Sequence, residues 1–555
     1  MWLLKQILIW LLFISGFVFA EWDGSTKEAS VKDVDGVKYY VITSPEELAW
    51  FAEKVADGDS SINALLEKDI ILGSDSLSVS SKNWIPIGSP LPSYKEGGLR
   101  SYEGIFDGQG HSVYGLKINT IFAGFFKVVG VQGVVKNLNL VNVDINVTGY
   151  SGCIVGECEK ITIGTIAARN HGVIDNCTTS GKITSRGKVF AENIGGLVGT
   201  NFSKGVISNS VNNVNLDMGL EAYIGGITGY NYGKILNVVN NGSVTNKGEF
   251  ASTSYVYVGG ISGGVEGLLE GVVNTGNITV DVATDRDTGG MRHISAYVGG
   301  VSGFSMGSLK KCGNYGTVQV NVHRENASSS STGVPSAIVG GIAGSSRSSV
   351  TDAFNLGNII SRAEGKSSFA GGVFGFSLAD SVCIRNVYVS PYSISAEKNV
   401  AIIAASVTSS VFEVNESYAN VETLKDLEYA VIRNDSARVL INVLDLQFAE
   451  FSSADFVKNL NTFNDSVEDR GVWELCETFP GFTGFCEYSK MPTPIDTAKI
   501  DTSTTIVRSK FAHDMVRSGS RQVIYDALGH HVKTVKTPGT YFIRMNGVSQ
   551  KVIAR

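Results

Sequence analysis

The pattern apolar-Gly-Gly-apolar-x-Gly occurs six times between residues 194 and 375. It appears first as Ile194-Gly195-Gly196-Leu197-Val198-Gly199 and then with its glycine pair opening at Gly225, Gly259, Gly299, Gly340 and Gly371. A weaker copy, Gly164-Thr165-Ile166-Ala167-Ala168, precedes them. Repetition at a period of roughly 20–50 residues confines a chain to solenoids and related stacks, because one unit cannot bury its apolar face alone and must lay it against the next. Most of the chain is therefore scaffold, and its sequence says more about architecture than about ligand.

The repeat continues past the glycines. An apolar anchor follows each pair (Ile174, Ile207, Ile235, Leu269, Leu309, Val350, Val382), and beyond most anchors stands an asparagine: Asn212, Asn240, Asn274, Asn314, Asn355. A glycine (Gly181, Gly242, Gly276, Gly316, Gly357) and a further apolar residue (Ile183, Val244, Ile278, Val318, Ile359) complete the block. Val, Ile and Thr abound, and stretches such as Gly276-Asn277-Ile278-Thr279-Val280-Asp281-Val282 alternate with period two, the mark of half-buried strands. The glycines are expected to supply positive φ or close backbone approach at corners. The asparagines are expected to tolerate left-handed backbone, to bond in turns, and to stack as a ladder from coil to coil. Only 10 prolines in 555 residues suit strands paired on both edges. The reading is an all-β chain built as a β-solenoid.

These Gly-Gly-apolar-x-Gly units resemble the GLUG motif, a repeat of bacterial surface and secreted proteins, over residues 164–375. The resemblance implies a right-handed parallel β-helix, exported and often linked to adhesion, without a defined ligand. Thr165 in the first copy and the missing Asn-x-Gly turn after the last depart from the pattern.

Residues 1–20 read as a secretory signal. Lys5 is the lone positive charge, an apolar run covers 7–19, and Val18-Phe19-Ala20 forms a small-residue cleavage site ahead of Glu21. That run is short for a membrane span and no other segment qualifies, so no transmembrane span is expected in the mature chain. At the far end, 490–505 is a Pro/Thr linker and 506–555 carries four strand-like runs. Tyr525-Asp526-Ala527-Leu528-Gly529, Val532, Gly539-Thr540-Tyr541-Phe542-Ile543-Arg544 and Lys551-Val552-Ile553 resemble the C-terminal sorting domain of type IX secretion substrates. This second resemblance implies a Gram-negative bacterium, a small Ig-like β-sandwich engaging the type IX secretion machinery, and a secreted or outer-surface destination.

Between the ends, 21–120 form an N-terminal cap and entry, 121–415 the parallel β-helix, and 416–489 a C-terminal cap region. Ser44 before Pro45 and Glu47 marks a helix start, and short helices are expected at 424–432 and 453–460. Small helical caps answer a need, since an open terminal coil recruits other chains.

A formal charge of −7 without a basic block argues against nucleic acid. All seven cysteines follow the signal. Cys476 and Cys486 flank a Pro-Gly turn and are candidates to pair, as are Cys153 and Cys158. Cys177 and Cys312 share a repeat position four units apart, about 19 Å at the strand spacing against a disulfide limit of about 7 Å, so they are expected as buried thiols. No Cys or His group has metal-ligand spacing, and neither metal nor cofactor is expected.

Carboxylates act as acid and base only when held a few ångströms apart, and acids are sparse in the repeats with no fixed offset. Asp107 beside His111 is expected to shape a turn. Asp281, Asp285, Asp287, Arg286, Arg292 and His293 cluster in the longest insertion, which is a solvated loop or a ligand contact. No nucleophile elbow, P-loop or zinc-protease motif is present, and the chain is expected not to be an enzyme. Tyr223, Tyr257, Tyr297 and Phe369 recur two residues before their glycine pairs. They pack in the core or, facing solvent, form a stripe on which sugars stack. The three tyrosines with Arg286, Arg292 and His293 are the binding candidates. The expected function is an adhesin whose partner is an extracellular polysaccharide or a surface protein. The alternatives are a β-helix polysaccharide lyase or hydrolase, and a structural coat protein.

Overall fold

The computed structural model describes residues 21–88, 101–148, 153–154, 157–158, 161–250, 254–284, 294–324, 335–364, 367–433, 438–462, 472–489, 522–526, 531–532, 539–545 and 548–554. The chain is all-β, with long parallel sheets consistent with a β-helix. One sheet has ten strands that follow each other in chain order from Phe126–Val129 to Val431–Arg433. In the larger sheet the anchors lie side by side: Ile174 faces Ile207, followed by Ile235, Leu269, Leu309 and Val350. Val350 then pairs with Ile384 and not Val382, because the loop after the last glycine pair is longer. Inward side chains of both sheets merge into one core. The ten strands outnumber the six glycine motifs, since units toward each end lack the intact pair and carry Gly164-Thr165 or Ala401-Ile402 in its place.

The glycine pair and the asparagine are two halves of one contact. Asn240 is buried, and its Nδ2 donates to Asn274 Oδ1 at 2.8 Å and to the Gly242 carbonyl at 2.9 Å. Its Oδ1 accepts from Asn212 Nδ2 at 2.8 Å. The same bonds carry the ladder on through Asn274 and Asn314 to Asn355. Thr179 Oγ1 starts it, and Val389 takes the next position after Asn355. A β-carbon on Gly226 would overlap the Gly260 carbonyl and the Asn240 carboxamide, and one on Gly260 would overlap the Gly300 carbonyl and the Asn274 carboxamide. None of the paired glycines has positive φ. Close approach, not left-handed backbone, selects glycine there.

Left-handed backbone occurs elsewhere, two residues after the anchor. Asn137, Asn176, Asn209, Asn237, Gly271, Lys311, Asp352, Asn386 and Glu416 all have φ between 49° and 65° and stack in register down the large sheet. The ladder asparagines, expected from their residue type to tolerate that region, do not adopt it. Asn and Gly fill the column where sterics favour them, and stacking holds lysine, aspartate and glutamate in the same conformation elsewhere.

A helix, Pro45–Asp57, closes the N-terminal end of the core. Ser44 accepts from the Glu47 backbone N–H, Pro45 occupies the first turn, and Leu48, Phe51 and Val55 are buried. Phe51 packs on Tyr102 and Phe106, which belong to the first rungs. Glu47 accepts from Lys27 Nζ at 2.9 Å and from the Thr43 backbone N and Oγ1 at 2.8 Å. Burial would raise its pKa, but these donors overcome it and hold the carboxyl below its ordinary value. A depressed folded pKa means a contribution complete above the unfolded carboxylate range and lost as pH falls through the folded value. Glu47→Gln should therefore lower stability by about 1–3 kcal/mol at neutral pH and much less in acid. Urea titrations at the two pH values check this, and an equal loss at both would refute it.

After the last parallel strand the chain folds back along one flank. The helix Ala454–Thr462 and the hairpin of Trp473–Cys476 with Phe479–Phe482 bury Phe456, Leu460, Trp473 and Phe479 against Val239, Val273, Phe354 and Tyr388. Those four stand one position before the ladder site in their units. Cys476 and Cys486 are joined by a disulfide. No helix forms at 424–432, where the backbone is drawn into pairing with 402–407. Strands Gln522–Asp526, His531–Val532, Gly539–Met545 and Val548–Ala554 make one antiparallel sheet, and the second sheet of a sandwich is not among the described residues.

Cys177 and Cys312 are buried free thiols. Burial, the largest influence, pushes Cys177 up to about 12 and Cys312 well up. Since the thiolate is the nucleophile, iodoacetamide should leave both unmodified in the folded chain and label both in denaturant, as read by peptide mapping. Cys153 and Cys158 stand opposite each other in an antiparallel pair.

Candidate binding site

Strand alternation puts Ile224, Val258 and Val298 in the core and their neighbours Tyr223, Tyr257 and Tyr297 on the outer face. The three rings stack face to face. Tyr223 and Tyr257 lie 4.7 Å apart at 6°, and Tyr257 and Tyr297 lie 5.3 Å apart at 15°. Buried Ile338 separates the column from Phe369. Beyond the glycine pair, Tyr230 meets Tyr223 edge-on at 4.8 Å and 81°, and Phe304 lies 5.8 Å from Tyr257. Outward side chains on two arms of a unit can touch only across a re-entrant corner, so the rings line an angle running along the stack. Two residues further, His171 stacks on Phe202 at 4.1 Å and Phe202 on Tyr232 at 6.1 Å. Tyr255 is 51% exposed and Tyr232 40%, while Tyr230 is 7% exposed and donates to Glu266 Oε1 at 2.7 Å.

Burial, and next to it the Glu266 bond, pushes the Tyr230 hydroxyl well up. Burial also raises Tyr223, Tyr257 and Tyr297. These phenols stay protonated and can both donate and accept. Tyr230, Phe304, Phe202 and Tyr232 were not singled out from the sequence, although they stand five or seven residues after the first glycine of their units. A second buried ladder, Asn170 to Asn201 to Asn231 at 2.8 Å per step, has the same kind of fixed offset.

The other candidates are not gathered here. Arg286, Arg292, His293, Asp285 and Asp287 lie outside the described residues, as does Ala20. Asp281 accepts from Asn321 Nδ2 at 2.9 Å and lies 3.6 Å from His323 Nδ1. Asp107 bonds the Gln109 N–H and Asn137, whereas His111 sits 3.3 Å from Asp69, so the pair is not brought together. Glu21 accepts from the Ser81 N–H. Among the described residues one cluster has metal-ligand geometry, Glu474 with Cys476 and Cys486, and the disulfide removes both thiolates. Also among the described residues, no helix is long and apolar enough to cross a membrane.

No protein-family model matches the chain, and no curated protein matches it. Among solved structures, it is similar to a protein from Bacteroides ovatus provisionally named as an immunoglobulin A1 protease. The identity is 14% over 84% of this chain and 96% of that one, with a TM-score of 0.34. A second, named IgA1 protease, is 12% identical over 62% of this chain and 25% of its own length, with a TM-score of 0.28. Both names are those of enzymes. The expectation that this chain is not an enzyme is corrected by that finding. At these TM-scores the overlaps assign no activity, and what those proteins act on is said of them alone.

Proposed function

We propose that this chain is a secreted or cell-surface protein, a right-handed parallel β-helix of GLUG-type units, and an adhesin for extracellular polysaccharide. Its tail would be an Ig-like sorting domain read by the type IX secretion machinery, a reading supported by the sequence motifs of 525–553. The observation that carries the binding function is the tyrosine column on the outer face, with Tyr232 and Tyr255 open beside it. Aromatic rings with a polar tip suit surfaces that are apolar on one side and wet on the other, as a sugar ring's two faces and its hydroxyl rim are.

The test mixes the full chain with insoluble cellulose, chitin, xylan and mannan and measures protein lost from solution, with reducing ends assayed in the same tubes. Depletion by one of them, reduced at least tenfold in affinity by Tyr232→Ala combined with Tyr255→Ala, is the expected result. Depletion by none would overturn the reading and favour a protein partner or a coat role. New reducing ends would make the chain a polysaccharide-degrading enzyme.

A further inference from the structure

We infer, resting on that reading, that the ligand is a neutral, extended β-linked glycan lying parallel to the stack axis along the tyrosine corner. The column's geometry carries this. Rings stacked at 4.7 and 5.3 Å and nearly parallel cover each other's facing sides, so the outer-face column of Tyr223, Tyr257 and Tyr297 offers a ligand chiefly ring edges. The result is a row of phenol groups repeating once per strand spacing along one axis. A compact sugar meets one or two of them. An extended chain with a hydroxyl-bearing unit at a similar repeat meets all three.

The flanks supply what the column lacks. Tyr255 beside Tyr257 and Tyr232 beside Tyr230 keep ring surface open, one on each arm of the corner. Stacking is thus available at the sides and hydrogen bonding along the floor. Charge is balanced there: Glu266 is engaged by Tyr230, and Arg347 is exposed on the same arm one position after Ser346. Among the described residues, the corner holds no cluster of cations that would favour a uronic acid polymer over a neutral one.

Titration calorimetry on the full chain compares cello- and chito-oligosaccharides, from disaccharide to hexasaccharide, with malto-oligosaccharides, whose α-links coil the chain. Affinity in one β-linked series should rise about tenfold or more from disaccharide to tetrasaccharide and then level, with the malto series weak throughout. Tyr257→Phe keeps the ring stack and removes one hydroxyl, so it should weaken the hexasaccharide several-fold with an unchanged melting temperature. Equal affinity for disaccharide and hexasaccharide, equal binding of the malto series, or indifference to Tyr257→Phe would sink this inference while leaving polysaccharide binding intact. Loss of all polysaccharide depletion would sink both.

Discussion

Gly260→Ala should destabilise the folded chain by about 3 kcal/mol or more, beyond the usual cost of overpacking, because the new methyl has no soft neighbour to displace. It would strike the carbonyl of Gly300 on one side and the Asn274 carboxamide on the other. Asn274→Ala should cost a similar amount for the opposite reason. Asn274 bonds Asn240, Asn314 and the Gly276 carbonyl, and its loss leaves buried amide groups short of partners at about 1–3 kcal/mol each. If the glycine exists to make room for that amide, the double variant must cost less than the sum by about 1 kcal/mol, since alanine at 274 relieves half of the clash. Asn213→Ala, exposed one position after the ladder asparagine two units earlier, should stay within about 0.5 kcal/mol. Chemical denaturation of the four proteins decides, and strict additivity would refute the link between the two motif halves.

The second large effect concerns the flank. Trp473 is fully buried against Phe354, Tyr388 and Phe482, so Trp473→Ala should weaken the docking of 447–489 by about 3–5 kcal/mol. Cys486→Ser should remove about 3 kcal/mol through the entropy of the ten-residue loop that the disulfide closes. Trypsin cleavage after Lys458 reports local opening. Both variants should speed it well before the stack itself melts, and unchanged cleavage in both would show that this segment is held by something other than the aromatic packing around Trp473.

The parallel stacking was legible because its signal is periodic and local. Anchors Ile174 to Val350 and asparagines Asn212 to Asn355 were placed in register by spacing alone. The reading slipped where periodicity ends. Spacing points to Val382, but the lengthened loop puts Ile384 in the anchor's place, and the apolar spacing of 424–432 suits a helix while taking no account of the strand it pairs with. The left-handed column escaped notice for a different reason: its members share a backbone conformation and not a residue type. In the candidate site, one aromatic column was visible as a repeat. The partners Tyr230, Phe304 and Tyr232 were not, since nothing in one dimension says that two arms of a unit face each other across a corner.

The ladder also bears on how such a chain changes over generations. Asn240 and Asn274 are 34 residues apart and make the same bonds to their neighbours. Excising one whole period within the ladder would let the amide before the gap donate to the one after it with no new chemistry, so the ladder by itself does not fix the number of units. The flank segment sets the limit on that freedom. Its apolar side is fitted to particular units between Val239 and Tyr418, so gain and loss of units should be confined to the stretch before Val239.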